Sequence, residues 1–246
     1  MIISIANQKG GVAKTTTVLN LGAGLHQEGY KTLLIDLDSQ TDLTISLGIP
    51  EVEHTINEVM NGKDIKKTIL KLENGLHVIP ASKDLKATQI SLNKSDILIK
   101  ALANIKNNYD FILIDTNPGM TILTVNALLP PDMIIIPLTP EYLSLRGLKD
   151  FKETIDHLNT RFDITPAKVK ILITNYDKRK RLHQEAIEQV AEHFKKDLLK
   201  TKIRTNVALA ESVSHFKSIY DYQPNSHGSQ DYNNLTKEII KEVKKQ

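Results

Sequence analysis

The sequence predicts a doubly wound α/β fold, in which a mostly parallel sheet carries helices on both faces. Six short runs rich in Ile, Val and Leu are almost continuously apolar, which is typical of strands buried on both faces of a parallel sheet. Helical patterns lie between these runs, and such an alternation implies right-handed crossovers between parallel strands. No linker rich in Pro, Gly or Ser divides the chain, so residues 1–246 are expected to form a single domain.

The expected strands and helices follow one another along the whole chain. The strands are predicted at Ile2–Ala6, Thr32–Asp36, Leu76–Pro80, Phe111–Asp115, Met133–Pro137 and Val169–Thr174. The clearest helical patterns are Thr15–Gln27, Ile97–Asn107, Ser144–Leu158 and Gln184–Phe194. A closing helix is predicted at Tyr232–Lys245, because Leu235, Ile239 and Val243 share one face at helical spacing.

Composition excludes several classes of protein. The chain has no cysteine, which excludes a disulfide framework, a thiolate zinc site and a cysteine-held iron–sulfur cluster. The longest apolar run, Met133–Ile136, is the size of a strand and far shorter than a membrane span. No basic targeting segment follows Met1. A cytoplasmic protein is therefore expected.

Charge is distributed unevenly along the chain. Residues 1–165 hold 16 Lys and Arg against 19 Asp and Glu, a balance of −3. Residues 166–246 hold 16 against 10, a balance of +6. A basic C-terminal third favours an acidic partner, with nucleic acid the commonest, although solvated helix faces would give the same count.

The first predicted strand runs into a loop with the composition of a phosphate cradle. Small residues let backbone N–H groups turn around phosphates, a lysine reaches the β- and γ-phosphates, and a hydroxyl holds Mg²⁺. Gly10, Gly11, Ala13, Lys14 and Thr15 fit these roles between a strand and a helix. The pattern is K-G-G-x-x-K-[ST], because Gln8 and Ala13 stand at the usual glycines and Lys9 is added. The flanking strand and helix disfavour a chance glycine turn.

Three aspartates follow the buried strands at the edge where this chemistry needs them. Asp36 and Asp38 end the second predicted strand, and Asp115 ends the fourth. Ligands of open α/β sheets bind at the carboxyl ends of the strands. A carboxylate there can hold Mg²⁺, directly or through water, and a second can orient an attacking water. A single aspartate at such a place is commonly a helix cap, but three beside the loop indicate a site.

Taken together, these motifs make the sequence resemble the ParA/MinD family of P-loop ATPases with a deviant Walker A motif, and within it the Soj-like DNA-segregation ATPases. Asn7–Thr17 is similar to the family's phosphate loop, Leu33–Gln40 to its Walker A′ segment and Phe111–Asp115 to its Walker B strand. Further similar segments are Glu141–Leu148, the adenine-side loop Thr174–Arg179, and a C-terminal block with Ile203, Asn206, Val207, Glu211, Ser214, Tyr220 and Asp221.

The resemblance implies a weak ATPase that forms a sandwich homodimer with ATP and Mg²⁺. Lys9 would reach the phosphates of the partner subunit, Lys14 those of its own ATP, and Asp38 would position the hydrolytic water. Thr15 would bind Mg²⁺, with Asp36 and Asp115 in or near the metal shell. The implied ATP-binding residues are Lys9, Gly10, Gly11, Val12, Ala13, Lys14, Thr15, Thr16 and Asn175. A lysine supplied in trans acts as an arginine finger does, so hydrolysis would depend on dimerisation.

The resemblance also implies nonspecific binding of duplex DNA by the ATP dimer, with release after hydrolysis stimulated by a ParB-like partner, and hence association with the nucleoid. The run Lys178, Arg179, Lys180 and Arg181, on a predicted loop, suits phosphate contact by counterion release. Arg204 is a further candidate because Ala208 stands where relatives often carry a DNA-contacting arginine. The alternative is that this basic run is a solvated loop with no binding role.

Some features depart from the family pattern or leave other functions open. Asn117 replaces the first proline that usually follows Walker B, which puts the shape of that segment in doubt. No N-terminal helix-turn-helix domain is expected. A MinD-like membrane-cycling ATPase is the main alternative, but the tail Leu235–Gln246 has basic residues and no aromatic one, so membrane binding is not expected. A non-enzymatic regulator remains a third class, whereas the absence of cysteine excludes a relative that carries an iron–sulfur cluster.

Overall fold

The sheet at the centre of the molecule has eight strands in the order β3-β4-β2-β5-β1-β6-β7-β8. The computed structural model describes residues 1–140 and 145–244. The strands are β1 (Ile2–Ile5), β2 (Thr32–Leu37), β3 (Leu70–Lys71), β4 (His77–Ile79), β5 (Phe111–Thr116), β6 (Met133–Leu138), β7 (Lys168–Tyr176) and β8 (Leu198–Arg204). Every neighbouring pair is parallel except β3 with β4. The prediction of a mostly parallel sheet is confirmed.

Helices cover both faces of this sheet. In the described residues they are α1 (Lys14–Gln27), α2 (Asp42–Ser46), α3 (Ile56–Met60), α4 (Leu85–Ser91), α5 (Ile97–Ala103), α6 (Ile122–Leu128), α7 (Leu145–Phe162), α8 (Arg181–Phe194), α9 (Val207–Ser214), α10 (Ile219–Tyr222) and α11 (His227–Val243). Short 3-10 turns stand at Ile65–Thr68 and Lys106–Asn108. No helix in the described ranges is long and apolar enough to cross a membrane.

Side-chain alternation explains why the predicted strands are apolar throughout. Successive residues of a strand point to opposite faces. Leu34 and Leu113 therefore join the core beneath α1 and α11, whereas Leu33 and Ile112 join the core on the other face. Because both faces are covered, apolar side chains predominate at both sets of positions.

The edge strands and some helix boundaries differ from the sequence predictions. The strands β3 and β8 were not predicted. β3 has only two residues, and β8 carries Lys200, Lys202 and Arg204, charges that are typical of sheet edges. The closing helix α11 begins five residues before the predicted Tyr232, because the Ser226 hydroxyl accepts from the Ser229 N–H and caps a polar first turn. The predicted helix start at Ser144 and the predicted end at Lys245 lie outside the described residues.

The last helix is packed tightly against the first. Tyr232, Leu235 and Ile239 of α11 are fully buried. A Cβ on Gly24 of α1 would lie 2.4 Å from Thr236 Oγ1 and 2.6 Å from Tyr220 Oη, so this glycine permits the close approach. The Tyr232 hydroxyl lies 3.2 Å from Thr17 Oγ1 on the first turns of α1. The C-terminal helix therefore supports the end of α1 that faces the candidate site.

Candidate nucleotide-binding site

The loop between β1 and α1 is held open at its tip and anchored at its base. Asn7 Nδ2 donates to the Pro137 carbonyl at 2.7 Å, and Thr174 Oγ1 donates to the Val12 carbonyl at 3.1 Å. A Cβ built on Gly10 or Gly11 would meet no atom within 4 Å. Because α1 begins at Lys14, the unpaired N–H groups of its first turn lie at this loop. The arrangement can receive an anion.

Ala13 adopts a left-handed conformation that glycine normally occupies. Its φ is 66° and it forms the N-cap of α1. Its carbonyl accepts the Thr17 N–H at 3.0 Å and the Thr17 hydroxyl at 2.6 Å. These two bonds, with Tyr232 behind Thr17, hold the strained residue in place.

A cavity of about 570 Å³ extends from this loop toward the C-terminal third. Its lining includes the loop residues Gly10, Gly11 and Ala13 to Thr16, the aspartates Asp38 and Asp42, and, at the far end, Asn175, Asn206, Leu209, Ala210 and Val213. A volume of this size is typical of a small-molecule site. Of the predicted ATP-binding residues, all but Lys9 and Val12 line this one cavity, with polar groups at the loop end and apolar ones on α9.

The two loop lysines differ in exposure. Lys14 is buried, and its Nζ donates to the Lys9 carbonyl at 3.1 Å. Burial lowers the pKa of Lys14, and the nearby carboxylates of Asp115 and Asp38 oppose that shift. Lys9 is exposed at the loop tip, with its N–H bound to Asn7 Oδ1 at 3.0 Å. The Lys14 amine is therefore bound to its own loop, whereas Lys9 is exposed.

Asp36 and Asp115 lie side by side on β2 and β5 but have different surroundings. The two residues are Cα partners in the parallel register. Both Asp36 oxygens are bound, Oδ1 by the Asp38 N–H at 3.1 Å, and Oδ2 by the Thr44 N–H at 2.9 Å and its hydroxyl at 2.6 Å. Burial raises the pKa of Asp36 to about 6, and these donors oppose the rise.

Asp115 is a completely buried carboxylate without such donors. In the described part of the chain, neither of its oxygens has a hydrogen-bond partner at standard geometry. Burial and the neighbouring Asp36 raise the pKa of Asp115 well above its usual range, and the nearby Thr15 hydroxyl offsets part of the rise. A carboxylate and a hydroxyl are hard oxygen ligands, so this pair suits Mg²⁺ whose other ligands are waters and phosphate oxygens. The residues present therefore fit that cation.

Asp38 lines the cavity from the loop between β2 and α2. It is 4% exposed, and burial raises its pKa while the Gln40 N–H, bound to Oδ1 at 2.9 Å, opposes the rise. Its backbone is tied as well, because the Thr41 N–H donates to its carbonyl at 3.0 Å. The loop after β2 thus presents a carboxylate of defined orientation to the cavity.

Two polar residues of the site were missed at the sequence level. Thr44 binds Asp36, as described above. Asn117, noted only as a departure from a proline, accepts the hydroxyls of Thr124 at 2.9 Å and Thr121 at 3.2 Å and so fixes the start of α6. The sequence signal for both is weak: Thr44 follows Asp36 by eight residues, and Asn117 follows Asp115 by two.

The basic run lies at the carboxyl end of β7, three residues beyond Asn175. Residues 178–180 form a turn, and Arg181 is the first residue of α8 rather than part of a loop. Arg179 makes a bidentate ion pair with Asp177, and Arg181 Nε donates to Glu185 at 2.7 Å. Arg204 Nη2 lies 2.6 Å from Oδ1 of the buried Asp231, and the Arg204 side chain is 34% exposed. The structure thus places four of the predicted cations together and the fifth in a β8–α11 ion pair.

Comparison with known proteins identifies the chain's relatives. A family model described as an AAA domain matches residues 1–171. The sporulation initiation inhibitor protein Soj of Bacillus subtilis (strain 168) is 40% identical, covering 97% of both chains. The chromosome-partitioning ATPase Soj of Treponema pallidum (strain Nichols) is 37% identical, covering 95% of this chain and 94% of that one.

Several solved structures are also similar to this chain. Cobyrinic acid a,c-diamide synthase from Mycobacterium smegmatis, with a bound ATP analogue and magnesium, superposes with a TM-score of 0.85 at 29% identity, covering 99% of this chain and 95% of that one. A plasmid partition protein from Borrelia burgdorferi B31 bound to AMPPNP gives 0.80 at 28%, covering 98% of both. The cell-division ATPase MinD of Pyrococcus furiosus, at 24% identity and a TM-score of 0.82 over 98% of both chains, shares the fold.

Proposed function

Since this chain belongs to the Soj/ParA family of partitioning ATPases, we propose that it couples ATP hydrolysis to reversible, nonspecific binding of duplex DNA. It is an ATPase that uses Mg²⁺. In the proposal, ATP assembles a homodimer that binds DNA and so associates with the nucleoid, and a ParB-like centromere-binding partner stimulates hydrolysis and release. The observation that carries the proposal is that the ATP cavity and the basic run meet at the end of one strand, β7.

Within the cavity, the loop residues bind the phosphates and the carboxylates organise the reaction. Backbone N–H groups of Gly10 to Thr16 surround the β- and γ-phosphates, and the Lys14 amine neutralises their charge. Thr15 and Asp115 would hold Mg²⁺, which supplies charge neutralisation across the same phosphates. The far end, with Asn175 and the apolar face of α9, receives the adenine.

We assign the placement of the attacking water to Asp38. Phosphoryl transfer depends on positioning and charge stabilisation more than on covalent chemistry by the protein. Asp38 lines the cavity near the loop, and one of its oxygens is fixed by the Gln40 N–H. Its carboxylate is therefore oriented before the nucleotide binds.

Lys9 is proposed to act on the partner subunit's ATP. It is exposed at the tip of a loop that is anchored through Asn7, so it can reach a facing molecule. A cation added across an interface stabilises the charge that develops on the phosphates. Hydrolysis would then require the dimer, which links the lifetime of the DNA-bound state to ATP turnover.

DNA contact is assigned to Lys178, Arg179, Lys180 and Arg181. The three turn residues and Arg181 are exposed, and the surrounding C-terminal third has a balance of +6. Such a surface binds phosphates without reading bases. Arg204, the fifth predicted contact, is held by Asp231, so we place it in support of the β8–α11 junction.

The proposal is tested by measuring binding to nonspecific duplex DNA with ATP–Mg²⁺, with ADP and without nucleotide. Salt-sensitive binding with ATP alone is expected, and Arg179→Ala should reduce the salt slope by about one. Lys66→Ala, which removes an exposed cation at the other edge of the sheet, is the matched control and should leave binding unchanged. Binding to anionic liposomes in place of DNA would favour a membrane-cycling ATPase, and binding that ignores nucleotide would contradict the proposal.

A further inference from the structure

Thr44 connects three segments of the chain behind the ATP cavity. Its hydroxyl donates to Asp36 Oδ2 at 2.6 Å at the end of β2. The oxygen of this hydroxyl, Thr44 Oγ1, also accepts the Ala81 N–H at 2.9 Å from the segment after β4. Its own N–H also binds Asp36 Oδ2, at 2.9 Å. Thr44 and Ala81 are buried, so water does not readily replace these bonds. The side chain therefore fixes α2 to both strands.

The same network determines where Asp38 lies. Asp36 Oδ1 accepts the Asp38 N–H at 3.1 Å. On its other side, the Asp38 carbonyl accepts the Thr41 N–H at 3.0 Å, and the Thr41 carbonyl accepts the Ile45 N–H at 2.9 Å in α2. Thr41 is held in a left-handed conformation, with φ of 61°. The Asp38 backbone is thus fixed between Asp36 and the helix that Thr44 anchors.

We infer that Thr44 and Asp36 form a positioning pair that sets the carboxylate of Asp38 for ATP hydrolysis, and that Asp36 acts through these bonds rather than as a ligand of Mg²⁺. Thr44 is absent from the cavity lining, whereas Asp38 and Asp42 on either side of the loop belong to it. Both Asp36 oxygens already accept protein donors, while the adjacent Asp115 oxygens accept none within the described chain. The inference rests on the role proposed above for Asp38.

Replacement of Thr44 by valine tests the pair. Valine keeps the branched shape but loses the hydroxyl, so Asp36 loses a donor and the buried Ala81 N–H loses its acceptor. Because small displacements of positioned groups reduce rate strongly, kcat should fall by roughly ten- to a hundred-fold, while the Kd for a fluorescent ATP analogue stays within about two-fold. Thr44→Ser keeps the hydroxyl and should restore most of kcat.

A matched control separates positioning from lost stability. Thr68 is another buried threonine, and its hydroxyl donates to the Ile65 carbonyl at 2.9 Å in a 3-10 turn outside the cavity lining. Thr68→Val should lower Tm as Thr44→Val does, without changing kcat. If both variants lose kcat in proportion to Tm, or if Thr44→Val retains the full kcat, the positioning role is wrong.

Two further variants distinguish this inference from the proposed function. Asp38→Asn should abolish hydrolysis. If it does not, the role of Asp38 itself fails, whereas normal kcat in Thr44→Val with an inactive Asp38→Asn overturns only the positioning role. Asp36→Asn should lower kcat with an unchanged dependence on Mg²⁺ concentration. A shift of that dependence to much higher Mg²⁺ would make Asp36 a metal ligand and would contradict the inference.

Discussion

The buried carboxylate of Asp115 lowers the stability of the folded protein at a residue that is a candidate for Mg²⁺ binding. It is completely buried and its pKa is well above the usual range because of burial and the adjacent Asp36. A buried carboxylate without donors destabilises the folded chain unless a cation arrives. Under the proposed function, Mg²⁺ bound with the nucleotide would offset this cost.

This burial predicts a dependence of stability on pH. A carboxylate whose folded pKa is raised contributes full stability below its ordinary pKa, and that stability is lost as pH rises through the raised value. Asp115→Asn removes this ionisation. Relative to the variant, the free energy of unfolding of the nucleotide-free wild type should therefore decrease between pH 4 and pH 7, measured by urea titration. The variant should also lose Mg²⁺-dependent ATPase activity. A constant difference across this range would contradict the assignment.

Asp177 limits the positive charge of the basic run. Its carboxylate binds Arg179 through two ion-pair contacts and also accepts the Arg179 N–H at 2.9 Å, and these hydrogen bonds hold its pKa well below the usual range. The pair is exposed on the arginine side, so it is open to exchange with another anion. A DNA phosphate would compete with Asp177 for this guanidinium.

Asp177→Asn should therefore strengthen nonspecific DNA binding in the ATP state. Asparagine retains the oxygen that accepts the Arg179 N–H but removes the competing charge. The affinity should rise at every salt concentration, while the slope of the log–log plot against salt stays the same, since Arg179 contacts one phosphate in both proteins. Filter binding at several salt concentrations measures both the affinity and this slope. Weaker binding by the variant would show that Asp177 orders the turn for contact instead.

At the scale of elements, the close pairing of α1 with α10 and α11 depends on Gly24. Alanine in an exposed helix interior is ordinarily favoured over glycine by about 1 kcal/mol. Here the added methyl would overlap Thr236 Oγ1 and Tyr220 Oη. Gly24→Ala is therefore predicted to destabilise the protein by about 1–3 kcal/mol, as measured by chemical denaturation. A gain in stability would mean that the helices separate easily and that their close approach does not require glycine at this position.

The strands of the sheet's interior were predictable because their physics is local. A run such as Phe111–Thr116 is apolar at every position but its last two, and only burial on both faces explains that pattern. β8 was not predictable, because its alternating lysines match an exposed edge as well as a loop. The start of α11 was missed for a similar reason, since the turn after Ser226 is polar yet packs against other elements.

Some residues of the candidate site could likewise be predicted from the sequence, and others could not. The phosphate loop and the three aspartates were predicted because each follows a buried strand and carries a required chemical group. Thr44 was not recognised, since its role arises from hydrogen bonds to Asp36 and to Ala81, which is distant in sequence. The role of Asn117 is local, but it becomes evident only when the Thr121 and Thr124 hydroxyls are placed against its side chain. Nor could the sequence distinguish the bound carboxylate of Asp36 from that of Asp115, because only the packed structure supplies the donors.

At the scale of the whole molecule, the sheet brings the cavity and the basic run to one edge. Asn175, in a left-handed conformation with φ of 52°, lines the cavity, and Asp177 and Lys178 follow immediately. A change at the nucleotide has a short covalent path to the turn that carries the cations. The proposed function therefore predicts that hydrolysis at Asp38 ends the DNA-bound state.

The most direct test is the lifetime of the protein on DNA after assembly with ATP–Mg²⁺, followed by a challenge with excess competitor duplex. The wild type should leave DNA at the rate at which it hydrolyses ATP in the same mixture. Asp38→Asn should bind equally well and stay at least about ten-fold longer, because it retains ATP without hydrolysing it. Equal lifetimes for the two proteins would contradict the claim and would separate DNA release from the chemistry of this site.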